Sequence, residues 1–492
     1  MSFCSKTKSL ILLVSLVAIG TIIGCGGTER DEVPITTTSA EARQHYIEGR
    51  GLQERLRYDA AMESFEKALN ADPDFALAHL RVAMAAPDSR YMFEHLNAAL
   101  RQKDKVSEGE QLLIEVFEMV TSGDTEGQRL VLEELIEMYP KDVRVHADLA
   151  NLYYGTQQYE KAIELYDLIR SLDPDYSGAY NMAGYTYRAL GELDKAEDAF
   201  RQYIEMIPDD PNPYDSYAEL LLKQGQFDSS LAYYSRAITV DSSFYPSYGG
   251  VATNLVLLGD YEAAKETIRK LLNPPAHNRR TRVGLGALAV IHADEGDLDG
   301  AIETVKKRMI LAELAGDVPA QISDLYLIGN LQLFAERAEE AVEAYKKAQK
   351  MAKKSDLPDD VKGRSSRNYL FAMARAALVR KDVATARAHF DSYREKSKGS
   401  NNLGEIRGIH LLAGIIALHE KDYDKAVHEL SQSDGESAFV SFRIAKALQG
   451  RGDLEAAREQ YLKVASFNAP SSLEFALLRH QATELARALD IP

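Results

Sequence analysis

Three stretches of this 492-residue chain combine residue types and spacings capable of chemistry. Gly284-Leu285-Gly286-Ala287-Leu288-Ala289 matches a dinucleotide fingerprint with Ala in the last place. Such a site needs a preceding strand and a glycine-rich turn at a helix N-terminus, where backbone N–H groups meet the pyrophosphate. Here the glycines fall inside a helical pattern, where small residues permit close packing. Asp294-Glu295-Gly296-Asp297-Leu298-Asp299-Gly300 offers Glu295, Asp297 and Asp299 as oxygen ligands for calcium, but Lys306 stands where the closing Glu belongs. It reads as an acidic turn. His419-Glu420 and His428-Glu429 lack the second His of a zinc-protease helix and read as surface pairs. There is no P-loop and no Gly-x-Ser-x-Gly elbow. The expectation is therefore no catalytic residue, no metal, no cofactor and no enzyme activity.

The elements that carry these residues follow from composition and pattern. With 45% hydrophobic and 27% charged residues, the chain can bury a core and is not a disordered one. Gly (31) and Pro (15) are scarce, which leans away from a turn-rich β fold. A net charge of −17 argues against nucleic acid, whose phosphates demand a basic face. The only cysteines are Cys4 and Cys25, so a disulfide framework and a Cys-rich zinc module are excluded.

Lys6 and Lys8 precede an apolar run from Leu10 to Ile23, the size of a signal-peptide core and too short to span a bilayer. The run ends in Ile22-Ile23-Gly24-Cys25, which resembles the lipobox of bacterial lipoprotein precursors. That resemblance implies cleavage before Cys25, lipidation of its thiol and attachment to a membrane. An uncleaved anchor helix is the other reading, and both place the rest of the chain outside the cytoplasm. Gly26 follows Cys25 where the enterobacterial sorting rule would require Asp for inner-membrane retention, so the outer membrane is favoured. The polar spacer that follows, with Pro34 and no periodicity, reads as a flexible tether.

Beyond the spacer a period of 34 takes over. Pro140, Pro174 and Pro208 keep this step, as do Gly191, Gly225 and Gly259. Tyr153, Tyr187, Leu221 and Leu255 form a third column, and Ala162, Ala196, Ser230 and Ala264 a fourth. One unit reads Tyr180, Ala183, Gly184, Tyr187, Gly191, Ala196, Phe200, Tyr203 and Pro208. The small residues sit where two helices cross, the aromatics fill the space between hairpins, and Gly191 permits the turn. These columns resemble the tetratricopeptide repeat family. The resemblance implies an all-α solenoid, a right-handed superhelix of about twelve stacked helical hairpins.

Fidelity to the pattern falls off in both directions. Gly49, Ala61, Phe65, Ala68 and Pro73 mark a first repeat, entered through a capping-box pattern Thr38-Ser39-Ala40-Glu41. Residues 75–108 read as a degenerate hairpin shortened at Pro87-Asp88, and Leu112, Leu132 and Leu135 mark a weak repeat. The small-residue column continues at Ala301, Ala341, Ala386, Ala426 and Ala457, with spacings of 37, 40, 45, 40 and 31. Leu473 to Leu489 reads as a terminal capping helix. Asn273-Pro274-Pro275-Ala276, followed by Arg279, Arg280 and Arg282, breaks the array, as does the stretch from Lys353 through Pro358 to Gly363. Each break reads as an enlarged loop or as a hinge. The expected organisation is a signal peptide over 1–24 and a tether over 25–40. An array over 41–272, a break over 273–282 and a divergent array over 283–492 complete it.

In the tetratricopeptide family one face of the first helices lines a concave groove that binds extended peptides. Carried onto the regular repeats, that face is Asn151, Tyr154, Asn181, Tyr185, Arg188, Asp215 and Glu219. The same residues also read as a solvated helix face. The family's clamp for C-terminal carboxylates needs a Lys four residues before an Asn, and Ala147 stands there before Asn151. The expected function is an extracytoplasmic, lipid-anchored scaffold or adaptor in the bacterial envelope, with protein or peptide partners. The alternative is a glycan-binding or polysaccharide-export accessory lipoprotein, against which the absence of Trp counts. An enzyme hidden in the irregular parts is the third reading.

Overall fold

A computed structural model of the chain describes residues 31–272 and 279–489. The expected signal peptide, Cys25 and Asn273-Pro274-Pro275-Ala276 lie outside the described residues. Among the described residues there are 25 α-helices and no strand. The first six are α1 (Ala40–Glu54), α2 (Tyr58–Ala71), α3 (Ala76–Ala85), α4 (Ser89–Gln102), α5 (Glu108–Ser122) and α6 (Thr125–Met138). Then come α7 (Val143–Gly155), α8 (Tyr159–Leu172), α9 (Ser177–Ala189), α10 (Leu193–Met206), α11 (Asn212–Lys223) and α12 (Phe227–Val240). The middle holds α13 (Pro246–Leu257), α14 (Tyr261–Arg269), α15 (Arg279–Asp294), α16 (Leu298–Leu314), α17 (Val318–Phe334) and α18 (Ala338–Lys354). The last are α19 (Asp359–Val379), α20 (Val383–Lys396), α21 (Leu403–His419), α22 (Tyr423–Ser431), α23 (Ala438–Arg451), α24 (Leu454–Ala465) and α25 (Leu473–Ala488). Successive helices pair as hairpins and the hairpins stack, with α25 left over, so the fold is an all-α solenoid.

The turn inside each hairpin fixes the register. Gly191, Gly225 and Gly259 take φ of 78°, 76° and 87°, the left-handed region where a Cβ is costly. The same position recurs at Leu56, Gln157, Gly296, Glu336, Lys381, Lys421 and Gly452, all with positive φ. Five residues after each of these turns comes the small residue of the second helix. Ala61, Ala162, Ala196, Ser230, Ala264, Ala301, Ala341, Ala386, Ala426 and Ala457 are all fully buried. The uneven spacings of the C-terminal column are thus repeat lengths, because turn and alanine move together. Gly184 on α9 shows why the first helix is small as well: a Cβ there would come within 2.7 Å of the Phe200 ring.

The core is a continuous seam between hairpins. It crosses the first break, since Ile268 and Leu271 on one side pack with Ala287 and Ile291 on the other. Helix α15 begins at Arg279, so residues 279–282 of the expected break are helical. The second break is also smaller than expected. Pro358 is the N-cap of α19 and Gly363 lies inside that helix, which leaves residues 355–358 as the link.

Two expectations about the N-terminus need correction. The side chain capping α1 is Ser39, which accepts from the Ala42 N–H, so Thr38 and Glu41 form no capping box. A true box closes α5, between Ser107 and Glu110. Residues 31–37 of the expected tether are strapped onto the first repeats. The Val33 N–H donates to Asp142 at 2.9 Å, and the Thr36 N–H donates to the buried Glu110 at 2.8 Å. Val33 and Ile35 pack on the core, which a polar-looking sequence gave no reason to expect.

The array winds until later hairpins meet earlier ones. Ser89 before α4 donates to Asp317 before α17, and Thr125 at α6 donates to the Asn401 carbonyl at 2.9 Å. Gln157 bonds both Arg407 and Asp434, at 2.9 and 2.8 Å. Helix α25 folds back against α15, where Arg479 donates to the buried Asp294 at 2.6 Å. These contacts join residues more than 180 positions apart, so each turn of the winding supports the next.

Candidate functional site

The first helices of the hairpins line the cavities of the molecule, and the two halves line them differently. In the N-terminal half the sequence-predicted groove residues come together, and they mostly satisfy one another. Arg188 on α9 donates to Glu219 on α11 at 2.6 Å, while the Tyr185 hydroxyl donates to the same carboxylate at 3.1 Å. The guanidinium of Arg188 lies 4.8 Å over the Tyr185 ring. Burial works against the Arg188 charge, but Glu219 and Tyr185 outweigh it and hold its pKa above the ordinary value. Burial pushes the Tyr185 and Tyr154 phenols up, so both stay neutral donors.

Asp215 accepts from Ser247 on α13 at 2.6 Å, and burial raises its pKa to about 7. Asn151 accepts from the Tyr166 hydroxyl at 2.7 Å, and Asn181 is buried with its Oδ1 unbonded. The bonds run between residues 31 to 34 positions apart, the distance from one repeat to the next. They tie hairpins together. Ser216 and Ser247 complete the network and were not foreseen, because small hydroxyls carry no sequence signal of their own.

A cavity of about 580 Å³ lies beside this network, between α3, α5 and α7 on one side and the start of α21 on the other. Leu80, Met84, Val116, Phe117 and Asn151 line it, with Arg407 reaching in from the later turn. Asp148 at its wall is raised to about 6 by burial, against which Arg81 acts. The groove expected to be open toward solvent is here roofed by the chain's own C-terminal hairpins.

The C-terminal inner face is of another kind. Between α17 and α19 a cavity of about 480 Å³ is lined by Tyr326, Asn330, Arg364, Asn368, Phe371 and Arg375. Arg375 also borders a narrower one of about 80 Å³, closed by Phe334, His419, Phe439 and Arg443. No carboxylate lines either cavity. The guanidinium groups of Arg375 and Arg443 lie 5.2 and 4.4 Å from the centre of one ring, Phe439. Arg375 also donates to Asn330 at 3.1 Å, and Arg364 to the Thr121 carbonyl. Arg443 has a buried Nε without a hydrogen bond and no acid within ion-pair distance.

Burial, then Arg375, pushes the Arg443 pKa down to about 10. Lys446 and His419 are likewise lowered by burial and then by Arg443. Elsewhere in the same array arginines find acids: Arg282 and Arg308 share the fully buried Asp324, and Arg367 meets Glu405 at 2.6 Å. The sequence pattern did not single out this cluster, since the groove was mapped only onto the regular repeats. A signal was present, however. Phe371 and Arg375, like Phe439 and Arg443, stand four apart and so share a helix face.

Among the described residues no cluster of His, Cys, Asp and Glu could hold a metal ion, and Gly284 and Gly286 sit inside α15 as packing residues. Nor is any described helix long and apolar enough to cross a membrane.

Family profiles described as tetratricopeptide repeat match residues 57–75, 121–184, 177–210, 212–244 and 326–402. The chain is similar to the protein CTR9 homolog of Arabidopsis thaliana, 23% identical over 310 residues, 60% of this chain and 28% of that protein. It is 29% identical over 99 residues to anaphase-promoting complex subunit 3 of Dictyostelium discoideum, across 20% of this chain and 10% of that one. The chain thus spans well under half the length of these relatives. Among solved structures, a tetratricopeptide repeat protein from Parabacteroides merdae aligns at 17% identity and TM-score 0.34, covering 55% of this chain and 93% of that one. Tetratricopeptide repeats are present, and the columns read from the sequence are theirs.

Proposed function

We propose that this array of tetratricopeptide repeats is a protein-interaction scaffold or adaptor, held on the outer side of a bacterial membrane through lipidated Cys25. One observation carries the scaffold reading: hairpins account for nearly all described residues, so the chain is devoted to building inner and outer helix faces. Such faces bind by complementarity and need no covalent chemistry. The envelope location rests on the sequence alone, on the apolar run ending at Gly24-Cys25. Because residues 31–37 are strapped to the body, only residues 26–30 separate Cys25 from it. Five residues reach at most about 20 Å. An acylated Cys25 therefore keeps the edge bearing Asp31 and Lys141 near the bilayer, with the outer membrane as the favoured leaflet system.

Crosslinking in native cells followed by pulldown from the envelope fraction tests the scaffold reading. A defined protein partner supports it; a recovered chain with no crosslinked protein counts against it. The location is tested separately with Cys25→Ala. Loss of palmitate labelling and release from membranes are expected, and unchanged membrane partition would overturn the lipid anchor.

A further inference from the structure

The cationic cavity between α17 and α23 stands out in a chain of net charge −17. Four basic side chains, Arg375, Arg443, Lys446 and His419, converge on phenylalanine rings, and their mutual repulsion is unrelieved by any acid. An unpaired, desolvated cation lowers stability unless something compensates it. The rings of Phe439 and Phe442 compensate in part, through contacts of Arg443 at 4.4 and 5.9 Å. Ring faces supply less than a carboxylate does. The arginines elsewhere in these hairpins have their acids, so this omission is local.

Shape narrows the choice of ligand. Arg375 belongs to both cavities, so the small, arginine-walled one opens into the larger one. The larger offers Tyr326, Ser323, Asn330 and Asn368 as hydrogen-bonding groups along an apolar wall of Ile322, Leu357 and Phe371. Amide side chains on a first helix suit the repeating C=O and N–H groups of an extended backbone. The wall suits an apolar side chain beside the charge. A bare inorganic anion would use only the inner cavity.

On these grounds we infer that the inner face of α17, α19, α21 and α23 binds an acidic, extended peptide segment. A carboxylate of that segment seats between Arg375 and Arg443, and the neighbouring residues lie along Asn330, Asn368 and Phe371. The inference rests on the scaffold reading and names the chemistry of one partner. No bond is made or broken. The cluster is a preformed hole in the charge distribution of the protein, and binding fills it.

Fluorescence anisotropy with the full-length protein in detergent tests this. The probe is a labelled peptide Glu-Asp-Phe-Glu-Asp-Leu-Glu-Glu; its counterpart has every Glu and Asp replaced by Gln and Asn. The acidic peptide is expected to bind at least tenfold more tightly than the amide one. Arg443→Gln and Arg375→Gln are each expected to weaken it about tenfold, whereas Arg129→Gln, on the exposed face of α6, leaves it unchanged. Arg443→Gln is also expected to melt no lower than the wild-type protein, as relief of unpaired charge requires. Equal binding of both peptides, or equal binding by both arginine variants and wild type, would overturn the inference. So would displacement of the peptide by inorganic phosphate at equal concentration, which would make this a small-anion site. A lower melting temperature for Arg443→Gln would make the arginine structural and overturn it too. If these tests fail while crosslinking still captures a partner, the cavity is wrong and the scaffold stands. If crosslinking captures nothing, the scaffold reading falls by itself.

Discussion

Arg188 and Arg443 occupy first-helix positions in the two halves of the array, and their surroundings differ in kind. Around Arg188, each polar group finds a partner on the next first helix, with Glu219 and Tyr185 34 residues apart. Around Arg443 the next first helices bring Arg375, His419 and aromatic rings, with no acid. The difference follows repeat length. A constant 34-residue step places matching positions of adjacent hairpins side by side, so one bonding pattern can recur from hairpin to hairpin. Repeats of 37 to 45 residues add helical turns that shift which residues face each other. In that half, ion pairs such as Arg337–Asp299 and Arg387–Glu420 sit at exposed hairpin turns instead. Regular repeats make a face that holds the stack together; irregular ones leave a face with unmet charge.

Four substitutions break or sharpen this contrast. The largest effect is expected where cations depend on a fully buried acid. Asp324→Ala strands Arg282 and Arg308, and a loss of about 3–5 kcal/mol in chemical denaturation is expected. A loss below about 1 kcal/mol would show that pairing does not stabilise the C-terminal half. Glu219→Ala removes the acceptor of Arg188 and Tyr185 in the other half. Both charged groups are about one-fifth exposed, at 18% and 22%, so the expected loss is smaller, about 2 kcal/mol.

The third concerns pH. Burial raises Asp215 from 3.8 to about 7, so the folded state holds its proton more tightly than the unfolded one. Its contribution to stability is full below the unfolded pKa and is lost as pH rises through about 7. Asp215→Asn should flatten the stability–pH profile over that window, and an unchanged profile would place Asp215 in solvent. The smallest change is expected for Arg443→Met, which removes an unpaired charge and keeps apolar contact with Phe439. Its stability should lie within about 1 kcal/mol of wild type or above it. A loss above about 2 kcal/mol would erase the contrast, because Arg443 would then be as structural as Arg188.

The helical repeat itself was legible residue by residue. The columns of Gly191, Ala196 and Phe200 demanded hairpins, and the alanine spacings of the C-terminal half proved to be true repeat lengths. The groove residues were legible as a face, and the bonds among them were not. Whether Tyr185 meets solvent or Glu219 depends on the angle between α9 and α11, to which a one-dimensional pattern is blind. The strap over residues 31–37 escaped for a similar reason. Asp142 and Glu110 are distant in sequence, and nothing local in Val33 or Thr36 names them as acceptors.

The amino-acid sequence determined by itself what repeats locally: turn glycines, small crossing residues, interlocking aromatics and an N-terminal lipidation motif. Each is a contact within a hairpin or between adjacent hairpins, and short-range contacts write themselves as a period. Only the tertiary structure decided how the turns of the winding meet. Gln157 reaching Asp434, Arg479 reaching Asp294 and the roof over Asn151 all join distant hairpins. Those contacts depend on curvature accumulated over several repeats. A small rotation at each junction sums to a large displacement, and no single residue encodes it. The same accumulation brings Phe334 on α17 within 6.4 Å of Phe439 on α23 and so encloses the arginine cavity.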